Sequence, residues 1–156
     1  MSINIQYFKQ FNKDHNYLII VLSKLNQLNN INLPFEIKKI SKNKTLINRL
    51  DNFKYIETSI ESIKLNVFID VVIILTNNKN ASAISLGSNL YDKFYNKPQK
   101  DVTIVFSKNL LKNDSFCSNF IFGIFLKSYS FSKYKKNKSK FKINCINILL
   151  ENNLKL

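Results

Sequence analysis

The stretch "NVFIDVVIILTNNKNASAISLGSNLYDKFYNKPQKDVTIVFS", residues 66–107, carries the clearest pattern of secondary structure in the sequence. Its first part, 66–76, is a run of β-branched and aliphatic residues that predicts a strand covered on both faces. Apolar residues at helical spacing follow until Pro98, and a second buried-strand pattern covers 101–107. A strand, a helix and a strand in this order predict two parallel strands joined by a crossover helix.

The same alternation continues on both sides of this stretch. Towards the carboxyl end, "NDSFCSNFIFGIFLKSYSF" predicts a second helix with a broad apolar stripe, capped by Asp114 or Ser115, and 142–150 predicts a last strand. Towards the amino end, the patterns predict strands over 3–8 and from Tyr17, a polar connector up to Pro34, a helix over 36–51, and a strand and turn near 54–64. We therefore expect one α/β domain spanning 1–156, with a mostly parallel central sheet flanked by helices.

The composition indicates a globular protein with an unusual charge. The formal net charge is +14, yet Arg49 is the only arginine among the 24 basic residues. Lysine, asparagine and isoleucine dominate, as A/T-rich codons would favour, whereas nucleic-acid sites tend to keep arginine for its bidentate geometry. We interpret the charge as compositional. The sequence shows neither a signal peptide nor a run of about 20 apolar residues, so we expect the cytoplasm, or the interior of an organelle or endosymbiont with an A/T-rich genome.

The sequence offers no catalytic or metal-binding constellation. His15, the only histidine, stands beside Asp14 in a polar stretch and is expected to be solvated. Cys117 and Cys145 are expected to be free buried thiols. The only two glycines lie inside predicted helices rather than in a phosphate-binding loop, and close packing of helix on sheet explains them.

One segment carries a family resemblance. "GIFLKSYSFSKYKK", residues 123–136, resembles a segment of the M17 family, the leucyl (cytosol) aminopeptidases, whose N-terminal domain ends its last helix in Gly-x-x-Leu-x-x-Tyr-x-Phe-x-x-Tyr-Lys. "ISLGSNLYDKF" and "DVTIVF" look like that domain's Leu-Gly-Gly helix and the strand after it, so the resemblance spans roughly residues 35–150. The matched positions are Gly123, Leu126, Tyr129, Phe131, Tyr134 and Lys135.

The resemblance implies a macro-like fold and a non-catalytic role. In the family, two divalent metals and the catalytic residues belong to a C-terminal domain, whose signature Asn-Thr-Asp-Ala-Glu-Gly-Arg-Leu is absent from this sequence. We therefore expect no catalytic residue and no cofactor here, Mn²⁺ or Zn²⁺ being needed only by the missing catalytic domain. The expected role is an accessory or assembly domain, partnered by a catalytic domain or an oligomeric aminopeptidase. Macro-like folds also suggest ADP-ribose binding, but this chain has no Gly-rich loop for the phosphates.

The lysines after the matched segment support an alternative function. We interpret the apolar half of the segment as the end of a core helix, wrapped by Tyr129, Phe131 and Tyr134. The lysines are assigned to the following loop, and they would give affinity for nucleic acid without sequence preference. The alternative is thus a basic, nucleic-acid-associated structural subunit, for example one docked on ribosomal RNA. Its predicted contacts are Lys133, Lys135, Lys136, Lys138 and Lys140, with Lys38, Lys39, Lys42 and Lys44 of the first helix as additional candidates.

If the charge is compositional, nucleic-acid binding will be weak and will disappear as salt rises. We expect measurable affinity for an unrelated duplex and for a structured RNA at ~50 mM salt, and none at ~200 mM, because point-charge contacts release counterions. Fluorescence anisotropy across this range measures it. Retention at the upper end, with a preference for one RNA and a loss when the five lysines of 133–140 become Gln, would instead indicate a selected surface.

Overall fold

A computed structural model gives the arrangement of most of the chain. The residues that it describes are 3–9, 17–31, 33, 35–44, 48, 58–64, 70–76, 80–94, 101–134, 143 and 145–149. His15, Asp14 and the lysines at 135–140 lie outside the described residues, so the predictions made for them are not addressed by the fold.

The centre of the molecule is a six-stranded sheet in the order β1-β6-β5-β2-β4-β3. Its strands are β1 (Asn4–Phe8), β2 (Tyr17–Leu22), β3 (Thr58–Lys64), β4 (Asp70–Thr76), β5 (Asp101–Phe106) and β6 (Cys145–Leu149). Neighbouring strands from β1 to β4 are parallel, and only β3 at one edge runs antiparallel to its neighbour β4. The predicted α/β class with a mostly parallel sheet is confirmed.

The most apolar strands occupy the middle of the sheet. β2 lies between β4 and β5, with Ile19 opposite Val72 on one side and Ile104 on the other. Every residue of β2 after Tyr17 is buried, as is every residue of β4 from Val71 onwards. A strand covered on both faces cannot alternate apolar and polar residues, which explains the continuous apolar runs in the sequence.

Two long helices cover the first face of the sheet. They are α2 (Asn80–Phe94) and α4 (Asp114–Tyr134), the crossover elements before and after β5. Phe120 of α4 packs edge-on against Phe106 of β5 at 5.6 Å between ring centroids, and Phe116 stacks on Phe120 at 6.4 Å. Aromatic pairs at this separation are favourable beyond their buried area. These rings and Ile124 form part of the larger core cluster.

Both glycines of the chain lie where α2 crosses α4. A β-carbon on Gly87 would overlap the carbonyl oxygen of Phe120 and would lie 3.0 Å from the amide nitrogen of Ile124. A β-carbon on Gly123 would overlap the carbonyl oxygen of Ile84. The Ser88 hydroxyl donates to the carbonyl oxygen of Gly123 at 3.1 Å across the same crossing. The glycines therefore permit close packing of α2 on α4. The predicted reason for the glycines, close packing of a helix on the sheet, was wrong, because each glycine contacts the other helix.

The second face is covered by the segment that follows β2. A 3₁₀ helix spans Leu25–Asn30, and α1 (Phe35–Lys38) continues into a second 3₁₀ helix, Lys39–Lys42. Leu28, Ile31 and Ile37 are buried against the apolar residues of β2 and β4 on this face. The stretch predicted to be a polar connector is thus a core layer. The helix predicted over 36–51 is partly 3₁₀ in its described portion.

Short elements connect β5 to α4. α3 (Lys108–Leu111) follows Ser107, and α4 begins at Asp114. The backbone N–H of Phe116 donates to the Asn113 side-chain oxygen at 3.1 Å, which is the bond that an N-cap residue makes. Asn113 is therefore the cap of α4, and the predicted caps Asp114 and Ser115 lie inside the helix. α4 ends at Tyr134, so Lys133, which was assigned to the following loop, is helical.

Replacing either crossing glycine by alanine will destabilise the fold. Alanine favours a helix by about 1 kcal/mol over glycine, but the overlap with a backbone carbonyl forces α2 and α4 apart, and such overpacking costs about 1–3 kcal/mol or more. We expect a net loss for Gly87→Ala and for Gly123→Ala in urea denaturation. Ser85→Ala, at an exposed position of α2, is the matched control and should be neutral or stabilising. Glycine variants as stable as this control would contradict the close crossing.

Candidate functional site

The residues of the family motif lie on different sides of α4. Gly123 and the neighbouring Ile124 are buried, at the crossing with α2 and in the core respectively. Leu126 and Tyr129 are exposed. The prediction that Tyr129 wraps the end of a core helix is therefore wrong, because the helix continues past it and its side chain faces outward. Phe131 and Tyr134 occupy the last turn of α4, and Lys135 lies outside the described residues.

An apolar line runs along the exposed side of α4. Phe122, Leu126 and Tyr129 are exposed by 50%, 45% and 66%, and they are three of the four large apolar side chains that are exposed in the described part of the chain, Tyr7 being the fourth. We call these three residues the α4 line. Spacings of four and three residues place them on one side of a helix. Phe122 was not singled out from the sequence, although this spacing was readable there.

Charged residues beside the α4 line are paired. The Lys127 ammonium lies 3.0 Å from a carboxylate oxygen of Asp92 on α2. Both side chains are partly exposed, so this ion pair contributes little to stability. It joins α4 to α2 and sets a carboxylate beside the cation that follows Leu126 in the sequence.

Those of the predicted polyanion contacts that the structure describes lie on separate parts of the fold. Lys133 is in the last turn of α4, on the first face of the sheet. Lys38 belongs to α1 on the second face, and Lys39 and Lys42 to the 3₁₀ helix that continues it. The lysines of the first helix and Lys133 therefore sit on elements that cover opposite faces of the sheet. The contact predicted at 133–140 stays a prediction.

The described residues hold no group of three or more His, Cys, Asp or Glu side chains that is arranged to bind a metal ion. Three serines of the long helices, Ser85, Ser115 and Ser118, occupy exposed positions. A serine at such a position needs a general base beside it to act as a nucleophile.

The carboxyl end of β5 carries a buried hydroxyl group. Ser107 follows β5 directly, and its backbone N–H donates to the Val21 carbonyl oxygen at 2.9 Å. After β2 the chain crosses to the second face of the sheet, whereas after β5 it crosses to the first face. The carboxyl ends of these two neighbouring strands therefore form a topological switch point, where α/β sheets commonly bind ligands. The Ser107 hydroxyl is buried and has no hydrogen-bond partner. Neither glycine is at this edge, so the backbone there lacks the residue type that usually cradles phosphate.

Both cysteines are free thiols, as predicted, although each is half-buried rather than buried. The Cys145 thiol donates to the Asn147 side-chain oxygen at 3.3 Å. Burial raises the pKa of Cys145, and the negative charge of Asp101, its neighbour across β5 and β6, raises it further. A raised pKa favours the neutral thiol, so Cys145 is a poor nucleophile at neutral pH.

The longest helix in the described residues is α4, with 21 residues. It carries Lys127 within its length, and its buried side packs on the sheet and on α2. Among the described residues no helix combines the length and the apolar character that crossing a membrane requires.

Comparison with known proteins gives a likeness of fold. No protein-family model matches the sequence. No curated protein matches it either. Among solved structures, a mutant form of tomato leucine aminopeptidase superimposes with a TM-score of 0.61 at 12% sequence identity. The match covers 95% of this chain and 32% of that chain, so this chain spans about a third of the length of the tomato enzyme. At this identity the likeness shows a shared fold and not a shared activity.

Removing the buried hydroxyl of Ser107 will stabilise the protein. An unpaired buried hydroxyl costs roughly 1–3 kcal/mol, and Ser107 makes no side-chain bond to the start of α3 that would be lost. We expect Ser107→Ala to raise the free energy of unfolding by about 1 kcal/mol. Asn113→Ala is the matched contrast, because it removes the cap of α4 and should lower that free energy by about 1 kcal/mol. Chemical denaturation measures both, and a destabilised Ser107→Ala would show that the hydroxyl is satisfied.

Proposed function

We propose that this chain is a non-catalytic accessory or assembly domain, built on the fold of the N-terminal part of leucine aminopeptidase. The proposal is carried by the coverage of the structural match, in which nearly all of this chain aligns to about a third of the tomato enzyme. The motif shared with the M17 family between Gly123 and Lys135 agrees with it. In this proposal the chain supplies structure, and the chemistry belongs to a polypeptide region outside these 156 residues.

The residue inventory supports a role without catalysis. The M17 resemblance assigns two divalent metals to another domain, and the sequence contains a single histidine and ten acidic residues. Metal-activated hydrolysis needs several ligands held around one position together with a group that handles protons. Asp92, an acidic residue of α2, pairs with Lys127 of α4. Any Mn²⁺ or Zn²⁺ would belong to the catalytic partner, where it would activate water.

The proposal also gives the exposed side of α4 a purpose. A domain that works by assembly needs a surface for its partner, and exposed apolar side chains in one line are typical of such surfaces. The α4 line lies on the helix that carries the family motif, and two of its three residues, Leu126 and Tyr129, are motif positions. Packing against α2 accounts for Gly123 in the motif, but packing does not account for the two outward-facing residues.

A nucleic-acid role is the second candidate, favoured only by the net charge of +14. The lysines proposed to contact polyanions are point charges without the bidentate geometry of arginine. The salt dependence of binding separates this candidate from the first, because an assembly domain needs no affinity for nucleic acid at physiological ionic strength.

The purified chain should not hydrolyse aminopeptidase substrates. We expect no release of p-nitroaniline from leucine p-nitroanilide in the presence of Mn²⁺ or Zn²⁺, since the ligands and catalytic groups belong elsewhere in this proposal. Tomato leucine aminopeptidase serves as the positive control, and a mock purification from the same host strain controls for host enzymes. Turnover that follows the purified chain and exceeds the mock sample would overturn the non-catalytic role.

A further inference from the structure

The outer edge of β1 is accessible for strand pairing. β1 lies at one end of the sheet, and among the described strands it pairs only with β6. Asn4, Gln6 and Tyr7 are exposed, whereas Ile5 and Phe8 pack against the apolar clusters on the first and second faces of the sheet. β1 is therefore held firmly in the sheet, while alternate backbone N–H and C=O groups along it point away from β6.

The two edges of the sheet differ in how they are protected against pairing with another chain. The opposite edge strand, β3, contains Glu61 and Lys64, and charged residues on an edge strand discourage such pairing. β1 contains no charged residue and no proline, although the chain has 24 basic and 10 acidic residues. The edge at β1 thus lacks the protection that the edge at β3 has.

The sequence of β1 is complementary to itself in an antiparallel pair. A twofold axis at Gln6 sets Gln6 opposite Gln6 of a second copy, Ile5 opposite Tyr7, and Asn4 opposite Phe8, so that all five residues of the strand are paired. An aromatic residue opposite a β-branched one stabilises antiparallel strands. The Ile5–Tyr7 pair also covers the Tyr7 side chain, which is 59% exposed and which the α4 line does not include.

The charges next to β1 are far apart in this register. The charged side chain that follows the strand is Lys9. With the axis at Gln6, the two copies of Lys9 lie at opposite ends of the ladder, about 20 Å apart along the strands, because each residue of a strand rises about 3.4 Å. That separation exceeds the screening length of about 8 Å at physiological salt. Moving the axis to Tyr7 would instead set Lys9 opposite Ile5.

We infer that two copies of this chain pair through β1, antiparallel and about a twofold axis at Gln6. The two sheets then continue into each other across the paired edges. A ladder of five residues is a small contact, so we expect a weak dimer with a dissociation constant on the order of 100 μM. The inference goes beyond the proposed function and does not depend on it, because a non-catalytic domain can be a monomer or a dimer.

Analytical ultracentrifugation of the whole chain tests whether the dimer forms. Over concentrations from ~10 μM to ~1 mM, the dimer fraction should rise by mass action. It should also rise when salt increases from ~50 to ~300 mM, because salt screens the repulsion between two chains with a net charge of +14. A chain that stays monomeric over both ranges would overturn the inference.

Charge-swap variants locate the interface and its register. Gln6→Lys and Gln6→Glu should each weaken the dimer at least roughly tenfold, because each sets two like charges opposite each other at the axis. An equimolar mixture of the two variants should restore the dimer, because unlike charges then meet. Ser85→Lys and Ser85→Glu make the same changes in net charge at an exposed position of α2, and they should have little effect. Circular dichroism melts verify that every variant is folded.

Amide hydrogen exchange provides a second measurement that needs no variant. Protection of backbone amides between Asn4 and Tyr7 should increase with chain concentration, because pairing engages the outward-pointing N–H groups. A dimer that is insensitive to the Gln6 variants, a dimer that the mixture does not restore, or a dimer that only Leu126→Glu abolishes would overturn pairing through β1. The aminopeptidase assay decides the proposed function separately, because turnover by the chain would be measured whether or not it dimerises.

Discussion

The contact of two helix backbones at Gly87 and Gly123 organises the rest of this fold. Without side chains at these positions, α2 and α4 approach until a backbone carbonyl of each occupies the place of the other's β-carbon. That approach brings both helices onto one face of the sheet and brings Phe120 against Phe106 of β5. It also fixes the rotation of α4, which decides which of its many apolar residues are buried and which face outward.

The sheet and the long helices were predictable because their sequence patterns have a direct physical cause. Runs such as 71–75 are apolar throughout because both faces of the strand are covered, and the order of strands and helices requires parallel pairing. The stretch 25–33 was misread because its many asparagines hide the buried Leu28 and Ile31. A 3₁₀ helix of four to six residues is also too short to show a repeating pattern of apolar residues.

The sequence predicted the helix that carries the candidate site but not which side of that helix is exposed. The motif placed functional interest on α4, but α4 is apolar on several sides, so its stripe could not be divided into a core side and an exposed side from the sequence. Tyr129 was expected to wrap the end of a core helix for this reason. The missing information is the rotation of the helix, which depends on contact between Gly123 and a residue of α2 more than thirty positions away. The close approach of two glycines is a tertiary fact that local periodicity cannot show.

Gly87 and Gly123 act as one contact, and a double-mutant cycle measures this coupling. Once one alanine has forced the helices apart, the second meets a space already opened. Gly87→Ala and Gly123→Ala together should cost less than the sum of the single changes, by about 1 kcal/mol or more in the free energy of unfolding. Strict additivity of the two substitutions would contradict it, because independent sites do not share a crossing.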